Sequence, residues 1–213
     1  VTTPATVVFA ASGTDLEYLG LAHAKGRGAK GIRNILIGAD EVGSGCIYSA
    51  SGQFFANETA RGVKVTKGDP IGGALPASVE LYNIPVRDGA GRAFSAAEIA
   101  EAVEVAVAQA KAAGRHTLVH VLHGSKTGLV VPHFAHIDAL TARHGDAVSF
   151  IVDACQARIT SDAIHAYLAR GCIVMLTGSN FMGDGPFGRF AREPHAVVQR
   201  AAGLLRRLTT RFR

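Results

Sequence analysis

The sequence predicts a three-layer α/β/α protein with a mainly parallel central sheet, and three observations carry that prediction. Short β-branched runs alternate with longer helical patterns, as in successive βαβ units. The run Val148-Ser149-Phe150-Ile151-Val152 is apolar almost throughout, as expected of a strand covered on both faces. Hydrophobic residues make up 48% and charged residues 18% of 213 positions, which is enough apolar material to bury a sizeable core. No internal repeat or low-complexity linker interrupts the pattern. The chain therefore reads as one domain over residues 1–213, with a basic tail from about 195 to 213.

The elements follow in order. Thr6 to Ala10 is the first strand, and Ser12 to Asp15 offer N-cap residues for a helix reaching about Ala24. Asn34 to Ile37 is the second strand, and the small and apolar residues from Glu41 to Phe55 suggest a closely packed helix. Thr66 to Ala77 reads as a loop, Ser78 to Val86 as a strand and Asp88 to Arg92 as a turn. Ser95 and Glu98 form a capping box ahead of an alanine-rich helix to about Ala113. A strand over Thr117–Leu122, a helix over Pro132–His144 and the strand Val148–Val152 come next. A helix over Asp162–Arg170 and a strand over Ile173–Leu176 complete the series.

Bulk properties narrow the classes. No apolar run approaches the ~20 residues that span a bilayer, and residues 1–4 carry no secretory signature, so the cytoplasm is the expected location and no membrane contact is expected. Cys46, Cys155 and Cys172 are too few and too scattered for a disulfide framework and read as buried small residues; Cys155 alone falls in a candidate site. The net charge of +5 is concentrated in a tail holding Arg200, Arg206, Arg207, Arg211 and Arg213. No nucleic-acid motif accompanies it, so no nucleic-acid partner is expected. His120, His123, His133 and His136 raise a metal-binding alternative. On a strand, however, His120 and His123 point to opposite faces, which argues against a shared ion.

In a parallel sheet, ligands bind beyond the carboxyl ends of the strands. Four segments should gather there: Ser12-Gly13-Thr14-Asp15, His123-Gly124-Ser125-Lys126, Asp153-Ala154-Cys155-Gln156 and Thr177-Gly178-Ser179-Asn180. Gly13 and Thr14 at a helix N-terminus suit a phosphate, although the same residues make an ordinary cap. Asp153 needs a positive partner, such as a protonated ring nitrogen, or else caps its own loop. Gln156 could donate to a ring oxygen.

Read together, Thr6-Val7-Val8-Phe9 with its Ser-Gly-Thr-Asp turn, Val152-Asp153-Ala154-Cys155-Gln156 and Thr177-Gly178-Ser179 resemble the class V aminotransferases and cysteine desulfurases. These are pyridoxal-phosphate (PLP) enzymes of fold type I. The resemblance runs from about Thr6 to Gly188 and implies a truncated large domain that binds pyridoxal 5'-phosphate, acts on an amino-acid substrate and forms a homodimer. It implies that Gly13, Thr14 and Ser179 hold the phosphate, that Asp153 pairs with the pyridinium nitrogen and that Gln156 contacts the phenolic oxygen. It also implies a polar group near that oxygen at Ser125 or Lys126. No ring stands at Asp40-Glu41-Val42, where the family stacks one on the cofactor.

One departure decides the catalytic expectation. Asn180 occupies the position of the lysine that forms the imine. An amide nitrogen shares its lone pair with its carbonyl and cannot attack an aldehyde. The sequence therefore implies inherited cofactor-binding geometry with impaired catalysis, and as an alternative a non-catalytic interaction or dimerisation domain.

Overall fold

The computed structural model describes residues 5–27, 29–72 and 79–177, together with the backbone of 189–194. The strands are β1 (Ala5–Phe9), β2 (Gly31–Ile37), β3 (Val79–Ile84), β4 (Arg115–His123), β5 (Val130–Val131), β6 (Val148–Ala154), β7 (Ile173–Thr177) and β8 (Arg189–Pro194). They form one sheet in the order β1-β8-β7-β6-β4-β2-β3, with β5 paired to β4. From β3 to β7 the neighbours along this path are parallel. β8 runs antiparallel to both β7 and β1, so β1 points the same way as β7.

The helices are α1 (Gly13–Lys25), α2 (Cys46–Ala50), α3 (Ala96–Ala112), α4 (Phe134–His144) and α5 (Ser161–Ala169). Strand alternation sorts the core into two layers. Leu118, Ile151, Ile173 and Met175 pack with Leu16 and Leu19 of α1. Their neighbours Val119, Val121, Phe150, Val152 and Val174 pack with Val103 and Val107 of α3, Ile137 of α4 and Tyr167 of α5. The expected three layers are present, with a mainly parallel sheet in the middle.

Local signals account for most of the helix ends. The side chain of Ser12 accepts from the Asp15 amide and starts α1. Both halves of the Ser95–Glu98 capping box are made, and α3 then buries Ile99, Val103, Ala106, Val107 and Ala110 at helical spacing.

The helix expected over Glu41–Phe55 shrinks to the five residues of α2. Glycines 43, 45 and 52 each weaken a helix by about 1 kcal/mol relative to alanine. Gly45 is also tightly placed, because a Cβ there would lie 3.1 Å from Thr14 Cγ2 and press the two apart by a few tenths of an ångström. Beyond α2, the buried Asn34 of β2 donates its Nδ2 to Ala50 O at 2.8 Å and takes up a terminal carbonyl. β5 and β8 were not expected. β5 is only two residues long, and the stretch forming β8 has charge at three of six positions and ends in proline, so neither shows an apolar alternation.

α1 lies very close to the sheet. A Cβ on Gly20 would stand 2.8 Å from Ile151 Cδ1 and 3.0 Å from Leu118 Cδ2. Gly20→Leu should therefore overpack the α1 layer and lower stability by about 1–3 kcal/mol. Urea denaturation would show this as a lower midpoint; an unchanged midpoint would mean the helix is not held this tightly.

Candidate functional site

The carboxyl ends of β4, β6 and β7 and the turn after β1 converge on one cavity of about 390 Å³. Gly13, Thr14, Ser125, Lys126, Asp153, Gln156 and Thr177 all line it. All four segments singled out in the sequence therefore reach this cavity. Of the predicted site residues, Gly13, Thr14, Asp153 and Gln156 are together; Ser179 and Asn180, like the basic tail, lie outside the described residues.

Each lining residue has a local reason for its position. The Ser12 hydroxyl is spent on the cap, accepting from Asp15 N at 3.0 Å and donating to the Asp15 carboxylate. That leaves the first turn of α1, at Gly13 and Thr14, to face the cavity with the amides that a helix start leaves unpaired within the helix. A Cβ on Gly13 would come within 3.5 Å of Cys155 Sγ and 3.8 Å of Thr177 Cγ2, so the turn rests against the ends of β6 and β7. Half-buried Asp153 accepts from its own Cys155 amide at 3.0 Å. The loop-capping role open to Asp153 in the sequence is thus real, while the residue also lines the cavity. Burial foremost, then the neighbouring Asp153, push the Cys155 thiol well above its ordinary range. Cys155 therefore stays a protonated wall residue rather than a nucleophile.

The far wall is built on a residue that sequence reasoning missed. Glu41, buried at 3% exposure, follows β2 and lines the cavity. Its carboxylate accepts from Arg87 Nη1 at 2.6 Å, Ser125 Oγ at 2.7 Å, Thr127 N at 3.0 Å and Thr127 Oγ1 at 2.8 Å. Burial raises its pKa, but the bonds from Ser125, Arg87 and Thr127 outweigh this and hold it at about 2. Three loops, after β2, β3 and β4, are joined at this one anion. Ser125, a candidate for the ring oxygen, has its hydroxyl committed to Glu41, and Lys126 Nζ donates to Asp40 O at 2.9 Å. Val42 and Cys46 line the position where a stacking ring was sought, and no aromatic residue is among the described lining residues.

Glu17 was missed as well, and its neighbour His120 was considered only as a metal ligand. Glu17 lines the cavity from α1, three residues after Thr14 on the same helical face. A charge at that spacing within an apolar helix face was the available signal. The metal alternative gains nothing from the geometry. His120 faces Glu17 on the α1 side, whereas His123 Nδ1 lies 3.0 Å from Tyr167 Oη in the α5 layer. His133 and His136 stack with ring centroids 5.8 Å apart. Among the described residues no group of three or more histidine, cysteine or acidic side chains could hold an ion. No described helix is long and apolar enough to cross a membrane.

No protein-family model matches the sequence, and no curated protein does either. Solved structures do match. A structure assigned as histidinol-phosphate aminotransferase from Erwinia carotovora atroseptica is 14% identical, with a TM-score of 0.55 over 92% of this chain and 48% of that one. Oryza sativa TDC with PLP and tryptamine is 15% identical, with a TM-score of 0.54 over 93% of this chain and 39% of that one. Serine palmitoyltransferase from S. paucimobilis is 17% identical, with a TM-score of 0.52 over 93% and 41%. The chain thus spans less than half the length of each of these three matches. At these identities the likeness shows the fold alone: a mainly parallel sheet with flanking helices, as in these PLP enzymes.

Glu41 makes two testable statements. Glu41→Ala removes the acceptor shared by Ser125, Thr127 and Arg87 and should cost about 1–3 kcal/mol by chemical denaturation. Because its folded pKa of about 2 lies below the ordinary 4.5, Glu41 contributes stability that is fully present above pH 4.5 and lost as pH falls through 2. Glu41→Gln should flatten the stability–pH curve in that window, and an unaltered slope would remove the carboxylate from this role.

Proposed function

We propose that this chain is the cofactor-binding portion of a pyridoxal-phosphate-dependent fold type I protein, of the class V aminotransferase and cysteine desulfurase type, with impaired turnover. The observation that carries the reading is the convergence of Thr14, Asp153 and Gln156 on one cavity at the carboxyl edge of the sheet. The order of the Ser-Gly-Thr, Asp-x-x-Gln and Thr-Gly-Ser segments along the chain favours class V within that fold.

The residues present fit the group. A helix N-terminus on one side suits a dianionic phosphate, and a carboxylate on another suits a protonated ring nitrogen. Bound there, pyridoxal phosphate supplies an electron-accepting ring for chemistry at the α-carbon of an amino acid. Gly13 and Thr14 hold the phosphate, with Ser179 adding a contact. Asp153 keeps the ring nitrogen protonated, and Gln156 donates to the ring oxygen. Val42 would offer the bound group an aliphatic contact from the cavity wall.

Asn180 bears on turnover through two functions at once. Its amide can neither bond covalently to the cofactor's aldehyde nor carry a proton to and from the α-carbon. Loss of a general base alone costs about 10²–10⁴-fold in rate. The chain therefore binds its cofactor non-covalently, and a homodimer in the cytoplasm is the expected setting.

Pyridoxal phosphate should bind saturably, with a shift in its absorbance band, and borohydride should leave nothing attached. Asn180→Lys should produce a trapped adduct at residue 180, and Asp153→Ala should weaken binding about 10–100-fold, the loss of one charge-assisted contact. A trapped adduct at one site in the unsubstituted chain would overturn the non-covalent reading. Absence of saturable binding would overturn the cofactor reading itself.

A further inference from the structure

Two buried titratable groups beside the cavity have no part in the scheme above. Glu17 of α1 is 2% exposed and His120 of β4 is 1% exposed. Glu17 Oε2 lies 3.4 Å from His120 Nδ1, beyond the usual range of a hydrogen bond. Neither of these atoms has another hydrogen-bond partner, and His120 Nε2 has none either. Glu17 nevertheless lines the cavity next to Asp153. The groups facing it are Asp153 and Cys155 from β6 and the turn after it, Cys46 from α2 and His120 from β4.

These neighbours fix where the proton sits. Burial first, and then the charge of Asp153, raise the Glu17 carboxyl well above its ordinary range, against the opposing bond from the Cys46 thiol. Burial holds His120 down at about 3, so its imidazole is neutral near pH 7. Both shifts favour the uncharged forms of the pair, with the carboxyl as the group that holds a releasable proton. Two acids lining one cavity are a poised arrangement, because a positive charge brought near both would favour ionising Glu17.

We propose that Glu17 is the proton store of the cavity and gives up its proton when a cationic heteroaromatic nitrogen settles on Asp153. The inference rests on the cofactor reading above. In this step the Glu17 O–H bond breaks and its electron pair stays on the carboxylate. The proton goes to the ring nitrogen if the ligand arrives neutral, or to solvent if the ligand arrives charged. In either case the pocket gains a second negative charge beside the ring without drawing a proton from the buffer. Glu17 thereby acts through the electrostatics at Asp153 and is a positioning residue, not a catalytic one.

Calorimetric titration with pyridoxal 5'-phosphate, in two buffers of different protonation heat at the same pH, counts the protons linked to binding. The unsubstituted chain should take up about one proton fewer than Glu17→Gln, which has no proton to give. Difference infrared spectra of the unsubstituted chain supply a second measurement, and they decide the matter if the variant fails to fold. The protonated-carboxyl C=O band should vanish on adding the cofactor. Equal proton counts, or a band that persists in the loaded protein, would overturn the role of Glu17 while leaving the cofactor reading intact. Failure of the unsubstituted chain to bind at all would instead overturn that reading, and this inference with it.

Discussion

The close seating of α1 on the sheet sets the position of everything else in the site. With only a hydrogen at Gly20, the helix axis drops onto Ile151 and Leu118, and its first turn is carried to the carboxyl ends of β6 and β7. Gly13 then rests against Cys155 and Thr177, Thr14 turns into the cavity, and Glu17 follows one helical turn deeper. A bulkier residue at position 20 would lift the whole helix start. The cavity thus depends on packing at a position that never touches it. Such contacts are stiff, because protein interiors have little free volume to absorb a shift.

Much of this was legible from local signals. Ser12 and the Ser95–Glu98 box marked helix starts because they satisfy donors that any helix leaves free. The two-sided apolar run of β6 marked the centre of the sheet. The four strand-end segments could be placed at one edge because parallel strands deliver their following loops to the same side. What stayed illegible was set by partners distant in sequence. Nothing near Glu41 announces that Ser125 and Thr127 will donate to it, and the glycines of residues 43–52 only make sense once Thr14 is seen against Gly45. β8 was hidden for a related reason: its pairing between β7 and β1 is stabilised by backbone bonds to strands far apart in the chain, not by its own composition.

Two buried carboxylates in one cavity have their pKa values moved in opposite directions, and the contrast shows what burial does to charge. Glu41 has three side-chain or backbone donor groups besides a guanidinium, so it stays ionised despite the loss of water. Glu17 has one thiol donor, a neutral imidazole and another acid for company, so it keeps its proton. Both side chains are almost fully covered, but Glu17 is the more deeply enclosed, so deeper burial and the lack of donors act together to raise its pKa. The wall at Glu41 consequently stays charged down to about pH 2, whereas the floor at Glu17 is the side of the cavity where a change of charge is proposed.

The sheet order also has a bearing on how the chain acquires its shape. Among the described residues, β1 pairs only with β8, joining Ala5 to Pro194. Within the described residues, β1 therefore stays without its partner strand until Arg189–Pro194 are in place. α1 can dock on the inner strands well before that, leaving β1 tethered beside an unfinished edge. Closing that edge is the contact of greatest sequence separation in the sheet, and such contacts are slow to form. Assembly of this sheet should accordingly end with the pairing of β1 and β8.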